Sequence, residues 1–154
     1  MPPILTTNPG NVTMKANTMK ALTIDAYWAW AIAHGTKRVE NRSWRTHYRG
    51  PLAIHAGLTK KRDSVAKDFL KVHAPELLDA KDQIDASRGH VIAICNLVEC
   101  VPSGSRRGDP WAFGPWCWIL DRVLPFEAGI KENGKQGLWT FRFRKPNVQE
   151  FEER

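Results

Sequence analysis

Cysteine is scarce in this 154-residue chain, and the three present, Cys95, Cys100 and Cys117, cannot all pair. Cys95 and Cys100 share a predicted strand at an odd spacing, so a regular two-residue period sends their side chains to opposite faces. No disulfide framework is implied, and a chain of this length builds one domain around one hydrophobic core without staples. Metal-ligand spacing is missing too. There is no CxxC, and His34, His47, His55, His73 and His90 follow neither HxxxH nor HExxH, so neither a metal nor any other cofactor is expected. Long apolar runs are absent: no segment approaches the ~20 residues that cross a bilayer. The opening MPPILTTNPGNVTMKANT has neither the basic start nor the apolar stretch of a signal peptide. No membrane partner and a reducing, cytoplasmic setting are the resulting expectations. Acidic residues are the minority, 16 against 23 Lys and Arg, giving a net charge of +7. A pI of about 9.6 favours polyanionic partners, nucleic acid first among them.

Residues 1–18 are rich in Pro, Asn and Thr and are read as a flexible leader, with Met14 or Met19 as a possible true start. Residues 19–146 form the expected domain, and the acidic 147–154 a frayed tail. Within the domain, Lys20 to Ile24, Arg38 to Arg42, Pro51 to Ala56, Val91 to Cys100 and Leu138 to Phe143 read as strands. A helix is expected over Ala26 to His34, with Asp25 as N-cap and Gly35 as a left-handed stop. Residues 61–86 carry Val65, Phe69 and Leu70 at helical spacing, and Pro75 restarts a shorter helix. Short strands interrupted by helices predict an α+β domain or a partly closed β-barrel. Trp116 and Trp118 share a strand face, and Trp118, Trp139 and Phe141 are assigned to the core.

The densest chemistry lies in Gly35-Thr36-Lys37-Arg38-Val39-Glu40-Asn41-Arg42-Ser43-Trp44, between an aromatic helix and a strand. Alternation puts Arg38, Glu40 and Arg42 on one side, Val39 and Asn41 on the other. Trp28 and Ile32 are one helical turn apart, and Tyr27 and Trp30 broaden that surface, so an aromatic wall is expected beside the charges. Such a place suits a planar ligand carrying a carbonyl.

The stretch ALTIDAYWAWAIAHGTKRVENRSW, followed by TxYRGPLAIHA, GPWCWIL and GKQGLW, resembles the ASCH domain family of the PUA-like superfamily, over roughly residues 19 to 143. The resemblance implies a PUA-like small β-barrel with flanking helices. It also implies one of three activities: binding of RNA or DNA, metal-independent ribonuclease action, or hydrolysis of the acyl group on N-acylated cytidines. One fold hosting several activities does not choose among them. The ASCH-type amidohydrolases carry a threonine where Glu40 stands, so an acyl-threonine step does not carry over: either water attacks directly or this chain does something else.

The leading expectation is therefore a metal-independent amidohydrolase acting on the acylated exocyclic amine of a cytidine-type nucleoside, with Lys37 and Glu40 catalytic. Lys37 is open to three readings: a neutral base, an ammonium that stabilises an oxyanion, or a turn lysine that holds a phosphate. Glu40 activates water, orients Lys37, or forms a plain ion pair with Arg42 or Arg38. Tyr27, Trp28, Trp44 and Trp116, with Arg42, are the expected substrate contacts, and Trp111 is a further stacking surface. Arg38, Arg45, Arg49, Arg106 and Arg107 are the candidate phosphate contacts, for a non-catalytic module reading single-stranded RNA or DNA. Glu99 or Asp109 stands as a possible additional acid. The oligomeric state is left open. GKQG at 134–137 lacks the spacing of a triphosphate loop.

Overall fold

A computed structural model describes residues 17–143. The tail assignment, and the leader assignment apart from Asn17 and Thr18, lie outside them. Six strands form one curled sheet, a half-barrel, in the order β2-β5-β4-β3-β1-β6. Their ranges are β1 Thr18–Ile24, β2 Val39–Arg42, β3 Gly50–Ala56, β4 His90–Pro102, β5 Trp116–Lys131 and β6 Leu138–Arg142. Three helices accompany them: α1 Ala26–His34, α2 Asp63–His73 and α3 Lys81–Ser87, with a 3-10 turn at Pro75–Ala80. The expected α+β small-barrel class is the one observed.

The two-residue period of the strands divides the core. Leu22 and Ile24 of β1 and Leu52 and Ile54 of β3 face the larger core, which α1 fills with Ala26, Ala29, Ile32 and Ala33. Met19, Ala21 and Ala53 point the other way, into a smaller cluster closed by Trp139 and Phe141. A nine-residue helix is marginal in water by itself, so α1 owes its stability to this burial. Each fully buried leucine or isoleucine of this core contributes roughly 1.5–3 kcal/mol, and each alanine less. Trp118, Trp139 and Phe141 are buried, as their strand positions predicted.

Several local expectations fail for identifiable reasons. Asp25 makes no side-chain cap on α1; its carboxylate is taken by Arg62, whose Nε and Nη2 donate at 2.7 and 2.8 Å. Gly35 is extended, at φ −119° and ψ −155°, rather than left-handed. Glycine is needed there for space: a Cβ would sit 2.8 Å from the Ala31 carbonyl oxygen. Cys95 and Cys100 line the same core rather than opposite faces, because a bulge between Leu97 and Glu99 inserts a residue and flips the parity. Val65 is exposed, and Ala66 and Leu70 carry the buried stripe of α2 instead. Strand β5 departs most from expectation, running to Lys131 through Pro125 and Gly129; the break in register between Val91 and Ala93 of β4 spans β5 from Pro125 to Ile130 and accommodates both residues.

Candidate functional site

The turn after α1 sets the site. Gly35 N–H and Lys37 N–H both donate to the Ala31 carbonyl, at 3.1 and 3.3 Å, which folds the chain back toward the helix and turns Lys37 inward. Arg38 secures this turn, its Nη1 donating to the carbonyls of Ile32, Gly35 and Lys37 at 3.1, 3.2 and 2.9 Å. Of these carbonyls Ile32 belongs to the last turn of α1, which a helix end leaves without a partner, so Arg38 Nη1 caps the helix and ties down the turn that follows it.

Lys37 is 1% exposed, and its Nζ donates to the Val39 carbonyl and, at 3.3 Å, to Glu40 Oε1. The second carboxylate oxygen of Glu40 lies 3.1 Å from Arg42 Nε. That contact is an ion pair without hydrogen-bond alignment, since the buried Nε finds no hydrogen-bond partner. Arg42 Nη2 meanwhile donates to the Thr23 carbonyl at 2.8 Å, tying edge strand β2 to β1 across the opening of the half-barrel. Glu40 thus sits between two cations. Burial pushes the Lys37 pKa below its ordinary value of 10.5; Glu40 opposes the shift and Arg42 adds to it. Arg38 is not among the causes.

These side chains line a cleft of about 340 Å³ with Thr23, Ile24, Asp25, Trp28, Asn41, Arg62 and Phe113. Trp28 forms one wall, with Lys37 Nζ 5.6 Å from its ring centroid and Phe113 at 6.2 Å. Exposure rises outward, from side-chain values of 2% for Lys37 and 9% for Glu40 to 15% for Asp25 and 61% for Arg62. Lys37 and Glu40 are therefore the floor, and Asp25 with Arg62 the mouth.

Of the expected site residues, the cleft brings together Lys37, Glu40, Arg42 and Trp28. It leaves out the other three aromatic contacts. Tyr27 is buried, its ring covered by Lys67 Nζ at 5.2 Å and Arg88 at 6.0 Å. Trp44 stacks edge-on against Trp118 at 4.7 Å, and Trp116 lies under Arg45 at 5.4 Å. Trp111 is core. Arg49 donates to the Thr46 and Tyr48 carbonyls, and Arg106 pairs with Asp109 at 3.5 Å; Arg45 and Arg107 remain exposed. Glu99 is exposed on β4, away from the cleft lining. Asp109 raises the Lys37 pKa slightly, but its Oδ1 is held by the Trp111 N–H at 2.9 Å.

Sequence reading missed Asp25, Arg62, Asn41 and Phe113 as cleft residues. Asn41 Nδ2 donates to the Trp111 carbonyl at 2.8 Å, and its Oδ1 accepts from the N–H groups of Phe113 and Gly114 at 3.0 and 2.9 Å. It latches the 111–114 loop to β2 and holds Phe113 over the cleft. The available signal was composition: a side chain with both donor and acceptor facing a Gly-Pro loop full of backbone polar groups.

Behind Thr23 lies a buried network. Thr23 Oγ1 accepts from Trp139 Nε1 at 3.1 Å and contacts His55 Nδ1 at 3.2 Å, while His55 Nε2 meets the Glu132 carbonyl at 2.8 Å. The carbonyl can only accept, so Nε2 carries a proton, and in the neutral imidazole that burial favours Nδ1 accepts from the Thr23 hydroxyl. Burial lowers its pKa from 6.5. As pH falls below 6.5 the unfolded chain binds a proton that the folded chain resists, so stability decreases. Melting temperatures from pH 7.5 to 5 are expected to fall, and His55→Gln to flatten that dependence.

Among the described residues no group of three His, Cys, Asp or Glu side chains converges as a metal site, and no helix is long and apolar enough to cross a membrane. The family model for the ASCH domain matches residues 22–113, more than half of the chain and the segment carrying every residue of the cleft. No curated protein matches the chain significantly.

Proposed function

The chain belongs to the ASCH domain family, which is associated with RNA binding and related activity, and from that premise we propose that the Lys37–Glu40 cleft is the active site of an amidohydrolase for N-acylated cytidine-type nucleosides. The observation that carries this reading is the buried Lys37–Glu40 pair, flanked by half-buried Arg42, on the floor of a nucleoside-sized cleft with an aromatic wall. A purely phosphate-tracking surface needs free cations. Arg45, Arg49 and Arg107 are exposed but none of them lines the cleft, whose cations are Lys37, Arg42 and Arg62, which supports a small-ligand reading of the cleft itself.

In the proposed reaction the pyrimidine ring rests against Trp28 and Phe113, with the acyl carbonyl toward Lys37. Glu40 removes a proton from water as its oxygen adds to the acyl carbon. The Lys37 ammonium stabilises the oxyanion that forms. Collapse breaks the C–N bond, the proton held by Glu40 passes to the departing nitrogen, and the products are the free acid and cytidine. Electron withdrawal by the ring eases departure of the amine.

Incubating the purified protein with a panel of acylated cytidines in EDTA tests the proposal. Release of acid and cytidine is expected; binding of RNA without turnover, or cleaved RNA ends, would replace it by the binding-module or ribonuclease reading. The pH profile supplies a second check. An ammonium role for Lys37 requires the protonated form, whose pKa burial has lowered, so the alkaline limb of kcat is expected below pH 10.5. A rate still rising at that pH would assign Lys37 another role.

A further inference from the structure

Resting on the reading above, we propose that Asp25 is the specificity residue of the cleft, its carboxylate accepting the ribose 2′ and 3′ hydroxyls and so selecting ribonucleosides over 2′-deoxynucleosides and free bases.

The position of Asp25 at the start of α1 suggests helix capping, yet its side chain caps nothing there. It turns to the cleft, where Arg62 grips it in a two-point pair, one guanidinium nitrogen to each oxygen at 2.7 and 2.8 Å. A carboxylate offers about four lone-pair directions, so this pair leaves each oxygen acceptor capacity of its own. Arg62 fixes the plane of the carboxylate and leaves two parallel acceptors. Two neighbouring hydroxyls on one ring present a matching pair of donors.

The order of groups in the cleft assigns the sugar to this end. Glu40 is committed on the floor to Lys37 and Arg42, where the acyl amide must sit to react. Trp28 and Phe113 take the ring. What remains of a nucleoside then extends toward the more exposed mouth, and Asp25 is the one acid of the cleft lining found there. Neither end of the Asp25–Arg62 pair has a role in the hydrolysis itself.

The test compares binding of cytidine, 2′-deoxycytidine and cytosine by calorimetry, and kcat/KM for acylcytidine against acyl-2′-deoxycytidine, in the wild type, Asp25→Ala and Arg62→Ala. Wild type is expected to favour the ribo compounds about tenfold, the discrimination that one charge-assisted hydrogen bond supplies. Asp25→Ala should erase that preference by raising KM with kcat unchanged. Arg62→Ala, which leaves the carboxylate in place, should keep a preference while weakening binding. Equal handling of ribo and deoxy ligands by the wild type, a preference that survives Asp25→Ala, or no binding of any nucleoside overturns the proposal. Ribose-selective binding without hydrolysis would support Asp25 and refute the amidohydrolase reading, so the two fail separately.

Discussion

Lys37→Ala and Glu40→Gln are each expected to lower turnover of an acylated cytidine about a hundredfold or more, the usual scale for an oxyanion donor or a general base. Substrate affinity should change far less. A group used mainly in the transition state lowers kcat and kcat/KM together, whereas a uniform binding contact raises KM alone. The buried geometry makes folding controls necessary. Lys37→Ala leaves Glu40 facing only the imperfectly aligned Arg42 Nε at 3.1 Å, and an under-compensated buried carboxylate is destabilising. Glu40→Gln retains the shape but leaves the Lys37 ammonium without its counter-charge, which lowers its pKa further and moves the alkaline limb to lower pH. Steady-state kinetics of each variant, alongside its melting curve, check the pair. A folded variant with near wild-type turnover would remove that residue from the reaction.

The fold was legible where periodicity and punctuation agree. Strands β1, β3, β4 and β6 follow from their β-like apolar runs, and α1 from the Asp25 and Gly35 brackets and the one-turn spacing of Trp28 and Ile32, although Asp25 and Gly35 serve there in other ways than expected. Strand β5 was not legible beyond its first residues, because Pro125 and Gly129 argue against a strand locally while a break in the register with β4 accommodates them. The floor of the cleft was legible because Lys37, Glu40 and Arg42 are local in sequence, so one turn and one strand place them. The mouth was not. Asp25 and Arg62 are 37 residues apart, and Asn41 meets the 111–114 loop across 70 or more. Only the tertiary fold creates those pairs. The same limit explains Arg38, Arg49 and Arg106: a sequence shows cations, but not whether the chain's own carbonyls and carboxylates have already claimed them.

Asn41→Ala is expected to lower the melting temperature by about 5–10 °C, from roughly 2–3 kcal/mol lost as three backbone groups of the 111–114 loop forfeit their partners. Those groups are the Trp111 carbonyl and the N–H groups of Phe113 and Gly114. The penalty is held below the sum for fully buried groups because Phe113 is half-exposed and water reaches part of the loop. A second effect should accompany it. With the latch gone, Phe113 no longer holds its place 6.2 Å from Trp28, and the cleft loses one aromatic surface. The Michaelis constant should therefore rise several-fold while the Lys37–Glu40 floor stays intact. Phe113→Ala separates the two consequences, since it strips the ring and leaves the Asn41 hydrogen bonds to the loop backbone. It should reproduce the rise in KM with little loss of melting temperature. Gly114 fixes the path of the same loop: it sits at φ +53°, and a Cβ there would meet Ser103 at 2.6 Å. Differential scanning calorimetry and steady-state kinetics on Asn41→Ala and Phe113→Ala test the argument. If Asn41→Ala melts with the wild type, the loop is held by packing of Trp111 and not by the latch.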